Sequence, residues 1–201
     1  MESIFTRSFE HNEELLAAAL EEFATYGYEQ ASINRVLAAS GMSKGQFYYH
    51  FKSKENLYFA LIAVLITRKR AYLARVMRPE DVAQNLFGIF RQQIRYGLLF
   101  AREYPLINRF AERFSRERGS VIYAQALERF NFNEDAQLHA LIARAAANGE
   151  LRSDLPLPVM TRMIGYLFTH AADLVDLHDL DQAEQQLDYV IAMMKNGLAS
   201  R

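Results

Sequence analysis

The side chains best equipped for chemistry are crowded into one stretch, Ser43-Lys44-Gly45-Gln46-Phe47-Tyr48-Tyr49-His50-Phe51. Wound as a helix at about 100° per residue, it sorts into two sides. Phe47 and Phe51, four apart, fall together and must pack inward. Gly45, Gln46 and Tyr49 fall opposite, with Tyr48 and Lys44 on one flank and His50 on the other. The outward side thus offers phenols, an amide, an imidazole, an ammonium and a glycine that permits close approach. It contains no carboxylate. Between Gln30 and Lys54 the chain has Arg35, Lys44, Lys52 and Lys54 and no acid, although seven acidic residues occupy the first 29 positions. A chain of net charge −1 that clears negative charge from one region points to a polyanion as partner.

Two other chemistries match short stretches of the chain. Gly41-Met42-Ser43-Lys44-Gly45 matches the G-x-S-x-G pattern of a hydrolase nucleophile, which needs a strand before the serine. A helix is expected there instead, and Ser43 is explained as its successor's cap. His170, Asp173 and His178 approximate a metal-ligating set, but His178 falls beyond the expected helix end and no Glu-x-x-His pair occurs. No catalytic residue, metal or cofactor is assigned, and the chain is not expected to be an enzyme.

The elements that position the reading face are legible from caps and stops. Ser32 caps a helix with Ile33, Val36 and Leu37 apolar, and Gly41 stops it. Ser43 caps the next, with Gln46 at capping-box spacing, and Ser53 caps a third. This is a helix-turn-helix. In a major groove, Lys44, Tyr48 and His50 would meet phosphates along the walls, while Gln46, Tyr49 and the bare backbone at Gly45 would meet base edges. Ser32 and Lys54 would grip the sugar-phosphate backbone. Gln46 has two competing tasks, because a glutamine closing a capping box cannot also read an adenine.

The segment SKGQFYYHFKSKENL, preceded by FATYGYEQASINRVLAASGM, resembles the DNA-binding domain of the TetR family of bacterial transcriptional regulators, over about Asn12 to Leu65. The resemblance implies DNA contacts by the residues matching Ser32, Lys44, Gly45, Gln46, Tyr48, Tyr49, His50 and Lys54. It also implies an all-helical ligand-binding and dimerisation domain in the remainder, paired with its copy through the last two helices.

Composition agrees with an all-α fold: four prolines, nine glycines and few clustered β-branched residues in 201. The absence of cysteine excludes disulfides and thiolate sites and suits a reducing cytoplasm. The longest apolar run, Phe59 to Ile66, is too short to cross a bilayer. The expected division is residues 1–55 as helix-turn-helix domain and residues 56–201 as helical ligand-binding and dimerisation domain.

Residues 1–11 read as a frayed arm. Helices are expected over Asn12 to Tyr26, Ser53 to Met77, Asp81 to about Glu103, Pro105 to Arg118, Ser120 to Asn148 with a possible break at Asn131 to Asp135, Val159 to Asp176, and Asp181 to Ala199. The run Arg68-Lys69-Arg70 reads as solvated surface. The last two helices are apolar on more than one side and need a second surface to cover them. Uncharged polar groups among apolar ones in the larger domain fit a small organic effector, with Phe90, Gln93, Phe114, Tyr123, Leu127, Tyr166 and His170 as candidate contacts. The expected function is a dimeric, effector-responsive regulator, more often a repressor, on a palindromic double-stranded operator. The alternative is a helical small-molecule-binding protein or enzyme with no DNA function.

Overall fold

A computed structural model describes residues 4–6, 9–82, 84–131, 134–170, 174 and 179–199. Among them are eleven α-helices: α1 (Asn12–Gln30), α2 (Ile33–Ser40), α3 (Lys44–His50), α4 (Lys54–Val76), α5 (Pro79–Val82), α6 (Leu86–Glu103), α7 (Pro105–Ser115), α8 (Val121–Phe130), α9 (Glu134–Ala147), α10 (Leu157–Thr169) and α11 (Leu180–Leu198). The chain folds as two compact units, Met1–Ala74 with Glu103–Phe132, and Arg75–Arg102 with Asn133–Arg201. These units differ from the expected division after residue 55.

In the first unit, α1 packs on α2 and α7. Its apolar stripe, Leu15, Ala19, Leu20 and Phe23, is buried with Val36 and Leu37 of α2, Met42, Phe47 of α3, Phe51, and Leu57, Tyr58, Leu61 and Ile62 of α4. The rings of Phe47 and Phe51 stack at 5.6 Å. Tyr58 joins this core to α7, its ring 5.5 Å from Phe110. Tyr58 Oη also donates to Glu117 Oε2 at 2.7 Å, while Glu117 Oε1 accepts from the Tyr28 N–H. Burial, with the Glu117 bond, pushes the Tyr58 phenol well above its ordinary range.

Gly27, at φ 72°, breaks α1 where the sequence places its stop, and one further turn runs to Gln30. The positive φ is what calls for glycine there; a Cβ would in addition push on the Arg113 guanidinium and the Glu117 carboxylate.

Glu22 is buried, 8% exposed, and holds the start of α2. Its Oε1 accepts from the Ser32 N–H at 2.7 Å and from Arg35 Nε at 2.9 Å, and Oε2 also accepts from Arg35 Nε at 3.1 Å. Burial disfavours the carboxylate, but the Arg35 and Ser32 bonds outweigh it and bring the Glu22 pKa below its ordinary 4.5.

Several expected boundaries shift for local reasons. The single helix expected from Asp81 is two, because Asp81 Oδ2 accepts from the Arg78 N–H and Tyr96 Oη, and Asn85 Oδ1 accepts from the Gly88 N–H to start α6 afresh. The expected break near Asn131 is present, with Asn131 left-handed at φ 49° closing α8. The arm is ordered where it is described. Ile4–Thr6 forms a 3₁₀ turn, and Phe5 and Phe9 lie 5.3 and 6.2 Å from the Phe51 ring. Val82's side chain, and the expected Val159 to Asp176 helix beyond His170 apart from Leu174, lie outside the described residues, as do Asp173 and His178.

In the second unit the core is Leu86, Phe87, Phe90, Ile142, Ala145, Leu151, Met160, Ile164, Ile191, Met194 and Leu198. Glu150 Oε2 accepts from the Leu86 N–H, and Leu151 bridges Ala199 in antiparallel pairing. No described helix is long and apolar enough to cross a membrane.

Truncating the fully buried Phe47 to alanine is expected to destabilise the protein by about 3–5 kcal/mol in chemical denaturation. Because Glu22's folded pKa is lowered, its contribution to stability is present above pH 4.5 and lost as pH falls through the folded value. The stability gap between wild type and Glu22→Gln should therefore narrow between pH 6 and pH 3, as read by denaturation at each pH.

Candidate nucleic-acid interface

A helix of seven residues is too short to persist on its own, so α3 exists through its cap and its anchors. Ser43 Oγ accepts from the Gln46 N–H at 3.2 Å, and the Ser43 N–H donates to Gln46 Oε1 at 2.9 Å. This capping box seals the first turn. Phe47 and Phe51 bury the back. Lys52 then turns left-handed at φ 66°, and Ser53 Oγ accepts from the Asn56 N–H to open α4.

The front is open. Tyr49 is 75% exposed and Tyr48 45%, with Lys44 and Gly45 also exposed. Lys52 Nζ sits 5.5 Å from the Tyr49 ring centroid, adding a cation to that side. A Cβ on Gly45 would meet only Ser43 Oγ, at 4.0 Å. Internal packing therefore does not call for glycine here, and glycine inside a helix costs about 0.5–1 kcal/mol relative to alanine. The feature that benefits is an external surface brought close to the backbone.

The flanking residues have further commitments. Ser32 Oγ caps α2 by accepting from the Arg35 N–H at 3.4 Å, which leaves its hydroxyl proton for an outside acceptor. Lys54 Nζ donates to the Glu29 carbonyl at 3.0 Å and lies 4.9 Å from the Tyr28 ring. Burial lowers its pKa. Two ammonium donors remain for a phosphate. Arg35 is turned to Glu22 and lies over the Tyr26 ring at 4.4 Å.

Two tertiary contacts were invisible to spacing. Gln46 has its oxygen in the capping box and donates from Nε2 to Glu10 Oε2 at 2.9 Å. The helix has no carboxylate of its own, yet the arm brings one to it. His50 is stacked under Phe9 at 4.4 Å, which restrains its ring. The available signal is the pair of phenylalanines, Phe5 and Phe9, in an arm that reads as frayed.

The candidate effector contacts are divided between the two units. Phe114 and Tyr123 touch at 4.9 Å in the first unit, where Leu127 is half-buried. In the second unit, Phe90 is core, Gln93 is exposed, and Tyr166, 64% exposed, stacks on His170 at 4.1 Å. A cleft of about 330 Å³ between α6 and α11 is lined instead by residues including Arg91, Arg95, Glu184, Asp188 and Ile191.

A family model described as bacterial regulatory proteins, tetR family, matches residues 15–61, which hold most of α1, all of α2 and α3, and the start of α4. The chain is 29% identical over 190 residues to the HTH-type transcriptional repressor AcnR of Corynebacterium diphtheriae, covering 94% of this chain and 93% of that one. It is 32% identical over 95 residues to the HTH-type transcriptional regulator RutR of Escherichia coli K12, covering 47% and 43%. The solved structure of a TetR family transcriptional regulator from Chloroflexus aurantiacus shares the fold with a TM-score of 0.79 at 23% identity, over 98% of this chain and 97% of that one. The three-helix head at residues 15–61 thus matches the tetR family model, and over nearly its whole length the chain is similar to an HTH-type transcriptional repressor and shares the fold of a TetR family regulator.

Proposed function

We propose that this chain is a homodimeric, effector-responsive repressor that reads a palindromic DNA operator with α3 and is released from it by a small organic molecule. The observation that carries the reading is the exposed Gly45–Tyr49 face standing over the buried Phe47 and Phe51. A bare backbone flanked by phenols and cations suits the floor and walls of a major groove. Lys44, Tyr48 and His50 serve as wall contacts to phosphate, and Gly45, Gln46 and Tyr49 face base edges. Ser32, with its hydroxyl proton available, and Lys54, with two ammonium donors left, hold the backbone. Residues 1–55 act as the reading head, and residues 56–201 bind the effector and the second subunit. The cytoplasm is where such a regulator meets DNA.

Dimerisation through the last two helices is supported by apolar side chains left in solvent. Val159, Met163 and Tyr166 follow at spacings of four and three along α10, and Tyr189 and Met193 are four apart on α11. Such stripes are what a partner surface covers. A symmetric pair then sets two reading helices about one turn of duplex apart.

For the effector we retain Phe90, Gln93, Phe114, Tyr123, Leu127, Tyr166 and His170 as contacts, with Tyr166 shared between this role and the dimer face. The effector acts by differential affinity for two arrangements of the dimer, only one of which fits successive grooves.

Selection of duplexes from a genomic fragment library by the purified protein tests this reading, the expected product being an enriched palindrome at moderate salt. Gly45→Ala should stabilise folding by about 0.5–1 kcal/mol while weakening operator binding by roughly tenfold, about 1.4 kcal/mol. Opposite signs in a thermal melt and a gel shift are the outcome to look for; equal binding by both proteins would remove Gly45 from the interface. Tyr49→Ala is expected to change base preference by about 1–3 kcal/mol, whereas Lys54→Ala should weaken binding to all sequences and lower the salt slope by about one.

A further inference from the structure

The carboxylate that the arm brings to α3 has no role in the account above. Gln46, at the front of the helix, has its Oε1 taken by the Ser43 N–H and one Nε2 proton taken by Glu10 Oε2 at 2.9 Å. What Gln46 still offers is a single N–H donor. Glu10 is itself held in place, because Phe9 stacks on His50 at 4.4 Å and the Asn12 N–H donates to the Phe9 carbonyl at 3.2 Å. Its side chain is 72% exposed, and Oε1 lies 3.7 Å from His11 Nε2, beyond hydrogen-bond reach. An acceptor is therefore available next to the remaining donor.

We infer that Glu10 is a specificity-determining residue for base readout, the acceptor half of a Glu10–Gln46 pair that selects an amino-bearing base; this rests on α3 entering a major groove, as proposed above. A glutamine free of its cap would present donor and acceptor from one amide. Here the capping box removes the acceptor, and Glu10 restores it from a different part of the chain. A carboxylate only accepts, and the major groove offers it two kinds of donor, the amino groups of adenine N6 and cytosine N4. Opposite guanine O6 or thymine O4 it meets another acceptor and has lost its water. The same charge disfavours close approach to random duplex, where phosphates and keto groups surround it.

The test uses the full-length protein and an operator obtained by library selection. Each base pair of a half-site is varied in turn, and binding is measured for wild type and Glu10→Gln. The variant amide still accepts from Gln46 Nε2, and position 10 is exposed, so folding should be unchanged in a thermal melt. Unlike the carboxylate, the amide can turn to face a keto oxygen with a donor. Wild type should favour adenine or cytosine over guanine or thymine at one half-site position by roughly tenfold. In Glu10→Gln that preference should fall below about threefold, with the other positions unchanged and binding to scrambled duplex stronger. Identical base-preference profiles for the two proteins would overturn the assignment while leaving the regulator reading intact. A wild type that enriches no duplex at all would overturn both, and so identifies itself separately.

Discussion

The arrangement depends on burying the rear of one very short helix. Seven residues carry too few internal hydrogen bonds to hold a helix in water, and α3 survives because Phe47 and Phe51 are buried in the core of the first unit while Ser43 and Gln46 close its first turn. That division of labour frees the front. Gly45 and Tyr49 contribute little to the core, and their chemistry is available to an outside surface. The same anchoring fixes the direction in which the front faces, since two phenylalanines four apart leave little freedom of rotation about the helix axis.

Charge is distributed by tertiary contact as much as by sequence. Over Gln30 to Lys54 the chain has four basic side chains and no acid, which suggests a uniformly cationic patch. Folding sorts them. Arg35 is drawn to the buried Glu22 and serves to place Ser32, and Lys54 is drawn to the end of α1 through the Glu29 carbonyl. Lys44 and Lys52 remain with the exposed tyrosines. The electrostatic attraction to a polyanion is consequently weaker than the count implies, and geometry has more of the recognition to do.

The second unit is organised by a different constraint. Its core closes around Phe90, Ile164 and Met194, yet α10 and α11 keep Val159, Met163, Tyr166, Tyr189 and Met193 in solvent. Helices with a buried side and a second apolar side are incomplete as single-chain elements, which is what supports the proposed pairing with a copy. The polar cleft along α6 and α11, bridged by Arg91 and Asp188 at 2.8 Å, is lined by none of the residues proposed as effector contacts.

What the sequence determined by itself is local. Caps at Ser32 and Ser43, stops at Gly27 and Gly41, and the i, i+4 pair Phe47–Phe51 each act within one turn of helix, so their consequences were readable from spacing, and with them the all-α class and the reading face. Helix breaks that hinge on a single side-chain bond, such as Asn85 to the Gly88 N–H, were less legible, because the same residues are tolerated inside a continuous helix. Only the tertiary structure decided which distant groups came to the site. Glu10 is 36 positions from Gln46, and Glu22 is 13 from Arg35. No periodicity relates such partners, since their meeting depends on how α1 and the arm pack, and packing is a property of the assembled core.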